Sequence, residues 1–287
     1  MTNRRITTAL LAALIGALTG TPAAHAEEAA GIVANLWERY RSVRTETETV
    51  DIAIVSAPPA APVPRAQVEA LLQTGGPGIR PKRATRRVTY AADHQDKMVI
   101  VFGAPAEDVG TAFLVWRKAG RDQDEQWLYM PSLGRVRRIA VTSSQSFVGT
   151  NMRYEDIREL AGERVDNYSY ELLPAEAQDG RPCTVIQATP NPGVTSAYKR
   201  RKMWLDQAWQ IPVKVEYYDA RDVLWKVLYQ SSVTQLPSGI YRADLLEVRD
   251  LQLQEATFML ISKREVAQAL SPETFTTDYL ERAGADL

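Results

Sequence analysis

Two hydrophobic periods run along this chain, and the shorter one dominates. Between residues 29 and 43, Ile32, Val33, Leu36, Trp37 and Tyr40 recur at helical spacing and predict an amphipathic helix. ETETVDIAIVS follows, with Val50, Ile52 and Ile54 on one side, and predicts a strand. From Thr85 to Leu260 strand-like runs recur with few helical patterns between them. In IPVKVEYYD, Val213, Val215 and Tyr217 oppose Lys214, Glu216 and Tyr218; in DVLWKVLY, Val223, Trp225, Val227 and Tyr229 form one row. Period-two rows of this kind belong to antiparallel strands with one face on a core and one in water.

The connections are short and carry turn residues, as at Ala92-Asp93-His94, Pro131 to Gly134 and Pro237-Ser238-Gly239. Sequential hairpins predict a meander of about ten or eleven strands in one curved antiparallel sheet, which at that size curls or closes. SKREVAQALSPETFTTDYLERA is expected to end the chain as helix, broken at Pro272. The fold class is therefore mainly β: one strongly curved antiparallel sheet with N- and C-terminal helices over its concave face. One stretch interrupts the pattern. Residues 56–83 open with APPAAPVP, too rich in proline for a sheet, and continue with RAQVEALLQ, a candidate short helix. A connection this long is either a lid over the hollow or a surface insertion.

The first residues set the compartment. Arg4 and Arg5 precede an apolar run from Thr7 to Leu18, and Ala24-His25-Ala26 supplies a small-x-small cleavage pattern. A signal peptide over 1–26, cut after Ala26, leaves 261 of the 287 residues as one periplasmic domain. No cysteine lies at the cleavage site, so the protein is not expected to be a lipoprotein. Losing Arg4 and Arg5 takes the net charge from −1 to −3, which gives no reason to expect nucleic acid. Cys183 is the sole cysteine and rules out an internal disulfide. After cleavage His94 is the one histidine, which argues against a His-rich metal site or a His-based triad. No metal or cofactor is expected, and neighbouring acids such as Glu155 and Asp156 are poor evidence for an acid/base pair.

One block is more specific. EQWLYMPSLGRVRRIA followed by SQSFVGTNMRYEDI, flanked by GTAFLVWR, YKRRKMWLD and IPVKVEYYD, resembles the LolA-like family of outer-membrane lipoprotein-sorting proteins. The likeness covers roughly residues 85 to 265 and points to the secreted, largely uncharacterised branch related to the carriers LolA and LolB. It implies an unclosed barrel that holds acyl chains, no enzymatic activity, and partnership with a membrane transporter of the RND/MMPL kind. The insertion at 56–83 is longer than the resemblance implies.

The partners so implied are a lipid or lipoprotein acyl chains, carried between membranes. The alternative is a non-enzymatic scaffold or accessory subunit of an envelope complex. For a carrier, the expected cavity wall is Trp127, Tyr129, Phe147, Trp204, Val215, Tyr217 and Trp225. Strand alternation puts Arg137 and Arg138 on opposite faces, so they do not act together; Arg138 is expected to form a structural ion pair with Asp156. Phe147-Val148-Gly149 is expected to be a turn or bulge.

Overall fold

The computed structural model describes residues 22–118, 124–140, 145–160 and 162–283. Residues 1–21, most of the expected signal peptide, lie outside the described residues. Helix α1 (Pro22–Arg41) is longer than its apolar pattern, and the expected cleavage point after Ala26 falls within it. Among the described residues no helix is long and apolar enough to cross a membrane.

Strands β1 (Thr45–Ser56), β2 (Ile79–Thr89), β3 (Lys97–Ala104), β4 (Ala112–Trp116), β5 (Glu125–Met130) and β6 (Arg135–Arg138) form a first meander. A second contains β7 (Tyr168–Gln178), β8 (Arg181–Pro190), β9 (Arg200–Asp206), β10 (Pro212–Tyr218), β11 (Leu224–Gln235), β12 (Tyr241–Asp250) and β13 (Glu255–Val266). All thirteen join one sheet in the order β6-β5-β4-β3-β2-β1-β13-β12-β11-β10-β9-β8-β7. The expected count of ten or eleven was low. The first meander runs outward from the centre; the chain then crosses to the far edge, and the second returns to pair β13 with β1. Val50 lies opposite Ile261 and Ile52 opposite Met259 at that junction. β6 and β7 are the two edges and do not pair, so the barrel stays open.

The inner face buries Val50, Ile52, Ile100, Phe102, Phe113, Met203, Val248 and Met259 against Ala29, Val33 and Leu36 of α1. Helix α2 (Arg65–Thr74) and helix α4 (Thr277–Arg282) are on the other side. Val68 of α2 packs with Ala53, Leu245, Phe258 and Leu260. Leu280 of α4 and Phe275 pack with Val99, Val101, Ala112 and Leu114. The C-terminal helix therefore covers the outer face, not the concave face as expected. The reason is readable in β3 and β4: MVIVF and AFLVW are apolar on both faces, so each face needs a cover. The preceding SKREV is not helical, because β13 runs on to Val266.

The same outer face takes the 56–83 segment. The Arg249 guanidinium donates to the carbonyls of Pro59, Ala60 and Ala61, and Glu247 accepts from the Val63 amide at 2.9 Å. Val63 and Val68 are fully buried, and residues 79–83 already belong to β2. The lid reading is thus overturned: the segment lies across the sheet from the hollow.

Candidate functional site

The concave face is divided in two. Residues 145–160 cross one half, and the sequence there makes a plug. Phe147-Val148-Gly149 is a tight turn, with φ of 42° at Val148 and 71° at Gly149, closed by Thr150 N donating to Phe147 O at 2.9 Å. A glycine suits that left-handed position. Helix α3 (Tyr154–Glu159) follows, its first turn capped by Asp156, which accepts from the Arg153 amide at 2.8 Å. Phe147 and Tyr154 stack with Phe113 at 5.2 and 5.1 Å, and these rings fill the space over β2 to β4.

Over the other half, between α1, α3 and strands β9 to β13, there remains a cavity of about 120 Å³. Its apolar wall includes Trp37, Met203, Val215, Tyr217, Leu228 and Met259. Its polar wall is a set of buried charges. Glu46, behind the wall, faces Arg86 and Arg242 at 3.3 Å and Arg264 at 3.4 Å; Glu48 faces Arg86 and Arg264 at 2.8 Å. Burial pushes the Glu46 carboxyl up, but Arg242, Arg86 and Arg264 together outweigh it and hold the pKa below the usual range. Arg86 also donates to the Leu160 carbonyl at 2.7 Å, and Arg242 to the Tyr40 carbonyl. The charges thus hold both helices across the hollow.

Two more clusters complete the rim. Lys226, buried on β11, donates to Asp156 at 3.0 Å and to the Asn151 carbonyl at 2.7 Å. Glu163 accepts from Tyr170 at 2.6 Å and pairs with Arg201 at 3.0 Å; burial raises its pKa despite that arginine. Trp37 and Glu163 also line a polar cleft of about 350 Å³ outside the hollow, shared with Arg41, Asp96, Arg117 and Arg164. Of the acids that line the hollow, Glu48, Asp156 and Glu163 pair with buried cations, whereas Glu159 Oε2 is buried without a hydrogen-bond partner among the described residues.

The expected wall is only partly assembled. Val215 and Tyr217 line the cavity. Phe147 is buried in the plug. Trp127 and Tyr129 sit on the outer face under α4, with Trp127 against Trp116 at 4.8 Å. Trp204 lies on the face opposite Met203, between Lys202 and Lys214, its indole donating to Glu176 at 2.9 Å. Trp225 packs on Tyr198 at 5.6 Å and donates to Asp250, outside the cavity. The row that faces inward on β11 is Lys226, Leu228 and Gln230.

The Arg138–Asp156 pair is also corrected. Arg138 pairs with Glu125 at 2.8 Å across its own hairpin, and Asp156 with Lys226. Tyr154, Glu155 and Asp156 stand in the first turn of α3, so they diverge by helical spacing. Glu155 accepts from Ser196 at 2.6 Å and from the Ala197 amide at 2.8 Å; burial nevertheless raises its pKa. The charged lining was missed, although Glu46 and Glu48 stand in phase with Val50, Ile52 and Ile54. A carboxylate in the core row was the available signal.

Two family models match the sequence. One, DUF1329, described as a protein of unknown function, matches residues 4–176; another, described as an uncharacterized protein, matches residues 94–282. No curated protein shows significant sequence similarity to the chain. Among solved structures, a domain described as an outer membrane lipoprotein-sorting protein from Vibrio parahaemolyticus is 24% identical, with a TM-score of 0.77 over 90% of this chain and 100% of that one. A DUF1329 family protein from Desulfovibrio piger is 23% identical, with a TM-score of 0.77 over 89% and 99%. A LolA superfamily protein from Nitrosomonas europaea is 20% identical, with a TM-score of 0.57 over 86% and 98%. At these identities the likeness is one of fold.

Proposed function

From the premise that this chain belongs to the DUF1329 family and has the LolA-like fold, we propose that it is a periplasmic carrier for a lipid or a lipidated protein. Residues 27–287 act as one half-barrel unit after removal of the signal peptide. The carrier does no chemistry; it takes acyl chains from, or passes them to, a membrane transporter of the RND/MMPL kind. The observation that carries this reading is the partly apolar cavity between the sheet and two helices held by side-chain charges.

The energetics fit a gate. A sixteen-carbon chain costs on the order of 12 kcal/mol to leave in water, at about 0.8 kcal/mol per methylene. At about 30 Å³ for each water in the liquid, a cavity of about 120 Å³ has room for about four groups of that size. A full chain enters when α1 or α3 moves outward, so the structure corresponds to a closed form. Gentle purification, organic extraction and mass spectrometry test the proposal. Acyl lipid is expected at a substantial fraction of one per protein; repeated absence of lipid, with no binding of a fluorescent fatty acid, would refute it. A scaffold subunit is the competing reading, favoured by the plug that fills half of the concave face. It requires an empty hollow and stable co-purification with a partner.

A further inference from the structure

The hairpin of β5 and β6 is not part of the cavity, yet its charge is unlike the rest of the chain. From residue 126 to 154 the sequence holds four arginines and no lysine, aspartate or glutamate, in a chain of net charge −1. Three of them, Arg135, Arg137 and Arg138, stand on the four-residue edge strand β6, and all three are exposed.

Register divides them. Arg138 lies opposite Trp127 on the outer face and is tied to Glu125. Arg135 lies opposite Met130 and Arg137 opposite Leu128, so both point to the concave side, two residues and about 7 Å apart. Neither guanidinium forms a hydrogen bond or an ion pair among the described residues. Leu133 at the hairpin tip is 45% exposed, held out by a turn that Gly134 closes at φ 57°. An apolar tip beside paired free cations is the makeup of an interfacial contact.

We propose that this hairpin docks the protein on an anionic bilayer surface, with Arg135 and Arg137 each engaging a lipid headgroup phosphate and Leu133 entering the interface. Guanidinium groups bind phosphate oxygens in a forked, two-bond geometry that lysine lacks. Edge-strand charge also guards against strand addition, but that role needs no particular face and no phosphate. The proposal stands on the hairpin alone and holds whatever the hollow carries.

The test is co-sedimentation of the full chain with vesicles of phosphatidylglycerol and phosphatidylcholine, against vesicles of phosphatidylcholine only. The wild type is expected to bind the anionic vesicles about tenfold or more better, and less well as salt rises. R135Q/R137Q is expected to lose about tenfold in affinity for them, and R138Q less than about twofold. L133S, a second variant at an exposed site, is expected to weaken binding to the anionic vesicles. Equal binding to both vesicle types, an unchanged R135Q/R137Q, or an equal loss in R138Q would overturn the proposal. So would displacement by millimolar inorganic phosphate at matched ionic strength, which would make this a free-ion site. Lipid content measured by extraction on the same variants keeps this result separate from the carrier reading.

Discussion

Glu46 is enclosed by three guanidinium groups and is almost wholly removed from solvent. Its lowered pKa carries a sign. A carboxylate depressed on folding adds stability above its unfolded pKa and loses it as pH falls through the folded value. E46Q leaves Arg86, Arg242 and Arg264 short of countercharge and is expected to cost about 3–5 kcal/mol at neutral pH. The deficit relative to wild type should begin to shrink as pH falls below about 4.3, where the carboxyl of the unfolded chain protonates. It should shrink further as pH falls through the lowered folded value. Denaturant midpoints measured across pH read both effects; a pH-independent deficit would show that lost packing, not charge, is responsible.

At the scale of elements, the 56–83 segment and α1 have exchanged the roles that chain order suggests. The proline-rich connection is a fixed cover on the outer face. Val68→Ala removes two buried methyl groups and is expected to cost about 1–2 kcal/mol in a urea melt. Its fatty-acid exchange rate should match wild type, because the segment does not face the hollow. In the proposed carrier, helix α1 is the element expected to open. Arg242 donates to the Tyr40 carbonyl and stacks 3.5 Å from its ring centroid. R242M should raise amide hydrogen exchange in α1 by about tenfold to a hundredfold, the worth of a charge-assisted bond. Amides of β8 and β9, remote from this contact, should be unchanged; a uniform rise would mean global destabilisation instead.

At the scale of the whole molecule, an open thirteen-stranded sheet must cover two faces and two edges. The inner face takes α1 and α3; the outer takes α2, α4 and the proline-rich segment. The β6 edge is short and cationic, which blunts pairing with another chain. In the proposed carrier, the filled half of the concave face stays rigid while the half under α1 opens.

The chain by itself determined the mainly antiparallel β character and the hairpin connections, because period-two patterns and short turns are local. The open barrel was implied by the resemblance, and the count of thirteen strands and the pairing of β1 with β13 were not legible. VRRI and FVGTNMRYED sufficed for the fold resemblance, and alternation alone separated Arg137 from Arg138. What tertiary structure decided was which face each row meets. Trp127 and Tyr129 were legible as one row, but only the docking of Leu280 and Phe275 put that row outside. The expected inward residue of β11 is Trp225, whereas Lys226 is buried there by Asp156, a residue seventy positions earlier. Alternation gives two faces without saying which is inside. Where both faces are buried, or where a buried charge meets a partner far along the chain, hydrophobicity carries no sign, and long-range pairing decides.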